Sequence, residues 1–155
     1  MKKIVKKVMV LLAMGTFLIG STVTVKADEM DKFPLQQEGA ASSSYTRGIQ
    51  VMLLNFNSAT RNFILNGGGA DGSFGGKTTE AVRSFQSACG IGVDGQCGRD
   101  TWKKFRSTLR LNSTGSYKYY EGLSPYYNNH YNMRQVNAYD GTWYCYYAGS
   151  WYYVG

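Results

Sequence analysis

One histidine, three cysteines and ten acidic side chains are the groups in this chain with reactive chemistry. His130 sits in Tyr126-Tyr127-Asn128-Asn129-His130-Tyr131, a polar aromatic stretch. A catalytic zinc site draws on several His or carboxylate ligands in close array, and none surrounds it. A Cys–His nucleophile pair would have to join Cys145 or Cys89 to His130 outside any recognisable motif. No catalytic residue, metal ligand or cofactor is therefore assigned. The carboxylates that do form a pattern are Asp71 and Asp94. Asp71-Gly72-Ser73-Phe74-Gly75, followed by Thr78 and Val82, returns 23 residues later as Asp94-Gly95-Gln96-Cys97-Gly98, followed by Thr101 and Phe105.

These repeated residues make a bend and start a helix. Gly72 and Gly95 accept positive φ without strain, and Asp71 and Asp94 bond N–H groups just downstream. Gly75 and Gly98 serve as helix N-caps, and Thr78 and Thr101 reach otherwise unpaired N–H groups in the first turn. One bend plus one helix cannot bury its own apolar face, so the two copies must pack together.

Three helices position the bends. Arg47 to Phe56 carries Ile49, Met52, Leu53 and Phe56 on one face. Asn57 to Gly69 reads as a long connection with a turn of helix at most around Phe63 to Leu65. The second helix runs from Gly76 or Lys77 to about Ala88, with Ala81, Val82 and Phe85 inward and Gly90 as its stop. The third runs from Arg99 to about Leu109 on an inner stripe of Trp102, Phe105 and Leu109, with Lys103, Lys104 and Arg106 facing water.

The formal charge of +7 is concentrated at one end. Lys2, Lys3, Lys6 and Lys7 precede an apolar run from Val8 to Ile19, and Val25-Lys26-Ala27 offers a small-residue site. This is the pattern of a secretory signal over 1–27, with a run shorter than the roughly 20 residues that span a bilayer. Cleavage would leave 12 basic against 10 acidic side chains, which removes the case for nucleic acid. No integral membrane span is expected after signal removal. Export permits disulfides. Cys89 and Cys97 flank the second bend, and bridging them would add about 2.5 kcal/mol. Cys145 is the odd one out and suits a small buried position.

Residues 28–46 are polar and small and read as a flexible linker without a core. Residues 111–155 hold 12 of the 13 tyrosines and both Trp143 and Trp151. Within them, 142–154 reads as a β-hairpin turning at Ala148-Gly149-Ser150. Flat aromatic faces there would either stack on sugar rings or form a small core.

Asp71 through Gln86 resembles the signature of the peptidoglycan-binding domain appended to bacterial cell-wall hydrolases. Val93-Asp94-Gly95 with Gly98, Thr101 and Trp102 is similar to its second half, and Ile49-Gln50 with Leu53-Leu54-Asn55 to its opening helix. The resemblance covers 47–110. It implies a three-helix module binding peptidoglycan without catalysis; with the aromatic region and hairpin read above, the expected fold is mainly α. The chain departs from the family pattern in its long glycine-rich first connection, in Cys97 where a larger apolar residue is usual, and in lacking Pro after Gly75 or Gly98.

The implied protein is secreted and associated with the cell wall. Candidate ligand contacts are Asp71, Gly72, Asp94 and Gly95 at the helix starts, where carboxylates of stem peptides would be attracted. Lys77, Arg83, Arg99 and Lys103 would add charge, and Trp143 and Trp151 would meet glycan or a surface protein partner. The competing readings are a minimal wall hydrolase or a secreted effector acting through the tail.

Overall fold

Ser43 opens the first helix, its hydroxyl accepting the Thr46 N–H at 3.0 Å and satisfying one of the donors a helix start leaves over, a cap that stabilises by about 1 kcal/mol. The computed structural model describes residues 29–122, 133–136 and 141–155. The signal-like segment 1–27, His130 and Asp140 lie outside the described residues. Helix α1 (Ser44–Leu54) is buried on nearly every side from Thr46 onward, so it is the central element rather than a one-faced surface helix.

The connection after α1 contains a full helix, α2 (Ser58–Asn66), where the sequence pointed to a turn. Asn57 and Thr60 form a reciprocal capping box that starts it. Helix α3 (Gly76–Cys89) ends on Gly90 at φ 66°. Gly90 N–H bonds Ser87 O at 3.2 Å and Ile91 N–H bonds Gln86 O at 3.1 Å, the two-bond glycine stop that satisfies the last carbonyls. Helix α4 (Arg99–Ser107) buries Trp102 and Phe105. Phe85 of α3 stacks on Phe105 with centroids 3.9 Å apart, and Phe56 meets Phe85 edge-on at 4.7 Å. The module thus has four helices rather than three.

The segment before α1 differs from the flexible linker read over 28–46. A 3-10 helix at Glu29–Lys32 sets Met30 fully inside the core. Phe33 packs edge-on against Trp102 at 5.0 Å, and the Trp102 indole donates to Pro34 O at 3.1 Å. Gln36 and Cys97 exchange both backbone hydrogen bonds, at 3.1 and 2.8 Å. Few apolar residues do this work, so composition alone concealed it.

After α4 the chain turns into a five-stranded antiparallel sheet in sequential order. Its strands are β1 (Leu109–Thr114), β2 (Tyr117–Gly122), β3 (Met133–Val136), β4 (Trp143–Tyr147) and β5 (Ser150–Tyr153). The mainly α expectation is corrected accordingly: the protein is four helices followed by a sheet. The hairpin expected over 142–154 is the β4–β5 pair at one edge. Its turn residues Ala148 and Gly149 have φ of 47° and 84°, the positive pair that matches strand twist in a two-residue hairpin.

The inner face carries Tyr120, Met133, Trp143 and Cys145, all buried in the same cluster as the helical core. Sheet and helices meet at glycines. A Cβ on Gly48 of α1 would stand 2.7 Å from Val154 Cγ1, so the missing side chain lets the last residues settle onto the helix. Ser44 Oγ donates to Val154 O at 2.9 Å across that contact.

Candidate functional site

Each Asp-Gly bend is held by one buried glutamine. Gln50 of α1 donates through Nε2 to Asp71 Oδ1 at 2.9 Å, to Ser73 O at 3.0 Å and to Thr78 Oγ1 at 3.2 Å. Its Oε1 accepts Gly72 N–H at 2.8 Å. Gln86 of α3 repeats the pattern on Asp94 Oδ1 at 2.7 Å, Gln96 O at 2.9 Å and Thr101 Oγ1 at 3.0 Å. Its Oε1 accepts Gly95 N–H at 2.9 Å and Asp94 N–H at 3.1 Å. Both glutamines are at most 2% exposed, where a polar group persists only when its hydrogen bonds are made. Sequence reasoning gave them no role. The available signal was an apolar–Gln pair, Ile49-Gln50 and Phe85-Gln86, on two otherwise apolar stripes.

The aspartates are spent on the same task. Asp71 Oδ1 also accepts Ser73 N–H at 2.8 Å, and Asp94 Oδ1 accepts Gln96 N–H at 2.8 Å. Burial acts to raise the Asp94 carboxyl. The N–H of Gln96, the Gln86 amide, its own N–H and the Arg83 charge together hold it below the ordinary carboxylate value. Gly72 and Gly95 have φ of 86° and 79° and closely approached backbones: a Cβ on Gly95 would lie 2.9 Å from Thr79 Cγ2 and from Arg83 Nε. Asp71, Gly72, Asp94 and Gly95 are therefore architectural.

The helix starts, expected to attract a ligand carboxylate, lie beside carboxylates of the chain itself. Glu38 Oε2 accepts the Thr79 hydroxyl at 3.0 Å in the first turns of α3. Asp31 Oδ2 lies 3.8 Å from the guanidinium of Arg99, the first residue of α4.

The basic candidates have separate neighbours. Lys77 pairs with Glu80 at 2.8 Å and lies 5.8 Å from the Phe63 ring centroid, while Arg83 packs on Gly95. Lys103 differs: with Lys104, Asp100, Ile91, Gly92 and Ser107 it lines an open depression of about 450 Å³ on the outer side of α4. The lining thus joins two basic side chains and the Asp100 carboxylate to the apolar side chain of Ile91.

The Cys89–Cys97 bridge is not formed, and all three cysteines are thiols. The Cys97 side chain enters the core in the place that Phe74 takes in the first copy, while Cys89 sits half-buried at the end of α3. Burial raises the Cys89 thiol, with Lys104 pulling the other way. Burial also holds Cys97 well above its ordinary value and pushes Cys145 up to about 12, so neither is a thiolate at neutral pH.

The sheet divides its aromatics by alternation. Trp143, expected as a ligand contact, is fully buried on the inner face and is withdrawn from that role. Trp151 is on the outer face. In register across that face stand Tyr119, Arg134, Tyr144 and Tyr153. The Arg134 guanidinium carbon lies 4.0 Å from the Tyr117 ring centroid, 4.2 Å from Trp151 and 5.2 Å from Tyr144. Glu121, nearer the β1 edge, bonds the Arg110 guanidinium and accepts Asn112 Nδ2 at 2.9 Å. Those two donors hold its carboxyl below the usual value.

Residues 49–105 match the family model described as a putative peptidoglycan binding domain. The matched span takes in both glutamines and both bends and ends before the sheet begins. Comparison with curated proteins and with solved structures gave no match.

Proposed function

From the premise that residues 49–105 form a peptidoglycan-binding domain, we propose that this protein is an exported, non-catalytic binder of cell-wall peptidoglycan. The family match across both bends carries the reading. The helical module anchors the protein to the wall, and the aromatic sheet contributes further contacts. The depression beside α4 is the contact region on the helices, with Lys103 and Lys104 facing stem-peptide carboxylates and Ile91 supplying apolar surface. Charge-assisted bonds of this kind are stronger than neutral ones, and they weaken with salt because both lysines are solvent-accessible.

Calorimetric titration with soluble disaccharide–peptide fragments of peptidoglycan tests the proposal. The chain lacking 1–27 should bind saturably without releasing smaller fragments. Lys103→Gln with Lys104→Gln should weaken binding about tenfold or more. Absence of saturable heat, or turnover of the fragments, would overturn it.

A further inference from the structure

The outer face of the sheet is unlike the rest of the surface. Tyr117, Tyr119, Tyr144, Tyr146 and Trp151 surround one cation, Arg134, and the rings meet at steep angles. Tyr117 and Tyr144 are perpendicular with centroids 6.5 Å apart, Tyr119 and Trp151 cross at 66°, and Tyr146 and Trp151 at 53°. Ring edges and faces are thus both presented outward, and Tyr146 is 40% exposed. Such rings offer apolar faces with polar tips at small entropic cost, since each has only two side-chain torsions to fix.

Arg134 is held by stacking rather than by an ion pair. Its guanidinium lies over Tyr117 and Trp151, and its buried Nε has no hydrogen-bond partner among the described residues. The acidic group nearest in register on this face, Glu121, is already taken by Arg110 and Asn112. A guanidinium pinned between rings keeps its planar charge in one orientation, which is pre-organisation for an anion.

We infer that this face binds the glycan of peptidoglycan, with sugar rings against Tyr144, Tyr146 and Trp151 and a neighbouring carboxylate on Arg134. The inference rests on the wall-binding proposal and extends it to a second contact region. A sugar ring matches the aromatic faces through its C–H groups and the tyrosine tips through its hydroxyls. The carboxylate is what distinguishes a peptide-bearing wall sugar from a neutral oligosaccharide. Because the sheet packs directly on α1 through Val154 and Gly48, both regions belong to one body and would reinforce each other on a continuous wall.

The test uses the chain lacking 1–27, with two probes: anionic disaccharide–peptide fragments and a neutral N-acetylglucosamine oligomer. Tryptophan fluorescence and tyrosine-ring NMR shifts follow binding, and thermal unfolding confirms that each variant is folded. Arg134→Gln should weaken the anionic probe about five- to tenfold and leave the neutral one unchanged. Arg134→Lys should retain only part of the loss-sensitive affinity, because the planar stack is gone. Trp151→Leu should weaken both probes.

Variants that bind both probes as the unmodified chain does, while Lys103→Gln/Lys104→Gln abolishes binding, would overturn the inference and leave the wall-binding proposal intact. Failure to bind either probe or insoluble wall would remove both. Should a variant unfold, NMR shifts in the unmodified chain decide: perturbation confined to α4 contradicts the inference. Outer-face shifts that track protein concentration instead of sugar would mark a contact between copies, and also contradict it.

Discussion

The helical module fastens its two bends with Gln50 and Gln86, polar side chains at 2% and 1% exposure, whereas the sheet is fastened by rings, with Trp143 and Tyr120 inside and Trp151, Tyr117 and Tyr144 outside. In the helices the residues that repeat in sequence point inward. In the sheet, residues that look alike divide between two faces. The repeated pattern therefore marks scaffold, and the unrepeated aromatic texture supplies surface. On the function proposed above, the helices would meet the wall through what lies outside the repeat, at the depression lined by Lys103 and Lys104.

The sharpest separation of the two sheet faces is a pair of tryptophan truncations. Trp143→Ala opens a cavity beneath the sheet and should cost about 3–5 kcal/mol of stability. Trp151→Ala, half-buried on the outer face against Tyr119, Tyr146 and Arg134, should cost less, about 1–2 kcal/mol. Denaturant unfolding measures both, and equal losses would erase the distinction between the faces. Next in size are the glutamines. Gln86→Ala leaves the Gly95 and Asp94 N–H groups without their acceptor and takes one donor from the Gln96 carbonyl and from Asp94 Oδ1, with a cost of about 2–3 kcal/mol. Gln50→Ala should cost a similar amount. A loss under about 0.5 kcal/mol at either site would show that the bends stand without their clamps.

Much of the helical half was legible in the sequence. Asp71-Gly72 and Asp94-Gly95 declared the bends, and Ile49, Phe85 and Trp102 declared three of the helices. Helix α2 was hidden because only Thr60 and Ile64 are buried along it, too thin a stripe to read. The sheet was hidden for a different reason. Tyrosine is amphipathic and serves on either face, so Tyr117, Tyr119 and Tyr120 show no apolar–polar alternation, and burial along their strand does not alternate either, with Tyr120 and Glu121 both inside. Leu109, assigned to the end of a helix, begins β1. The segment before α1 was misread because its packing rests on Met30, Phe33 and Gln36, isolated among small polar residues. Of the candidate site, the basic side chains were found individually, but which of them lines a depression depends on the α3–α4 connection.

Thiol chemistry probes the second bend against the first. Under native conditions a small alkylating reagent should modify Cys89 and leave Cys97 and Cys145 untouched until the chain unfolds. No alkylation at Cys89, with a mass two hydrogens lower, would instead establish the bridge to Cys97. The smallest effect expected is on acid stability. Asp94 and Glu121 have folded values below their ordinary ones. They therefore contribute stability that is present above the unfolded carboxylate range and lost as pH falls through the folded values. Arg110→Gln should flatten the acid side of the Tm profile through Glu121 alone. An unchanged profile would show that this pair adds nothing measurable to the sheet.

Cutting the chain after Arg110 would not isolate the binding module cleanly, because it uncovers the surface of α1 that Trp143, Cys145 and Val154 cover. The most direct measurement is therefore co-sedimentation of the chain lacking 1–27 with insoluble, purified peptidoglycan, with Lys103→Gln/Lys104→Gln alongside. Saturable removal from the supernatant, reduced in the double variant, is the result expected. A folded protein that stays wholly in solution across the salt range would contradict attachment to the wall.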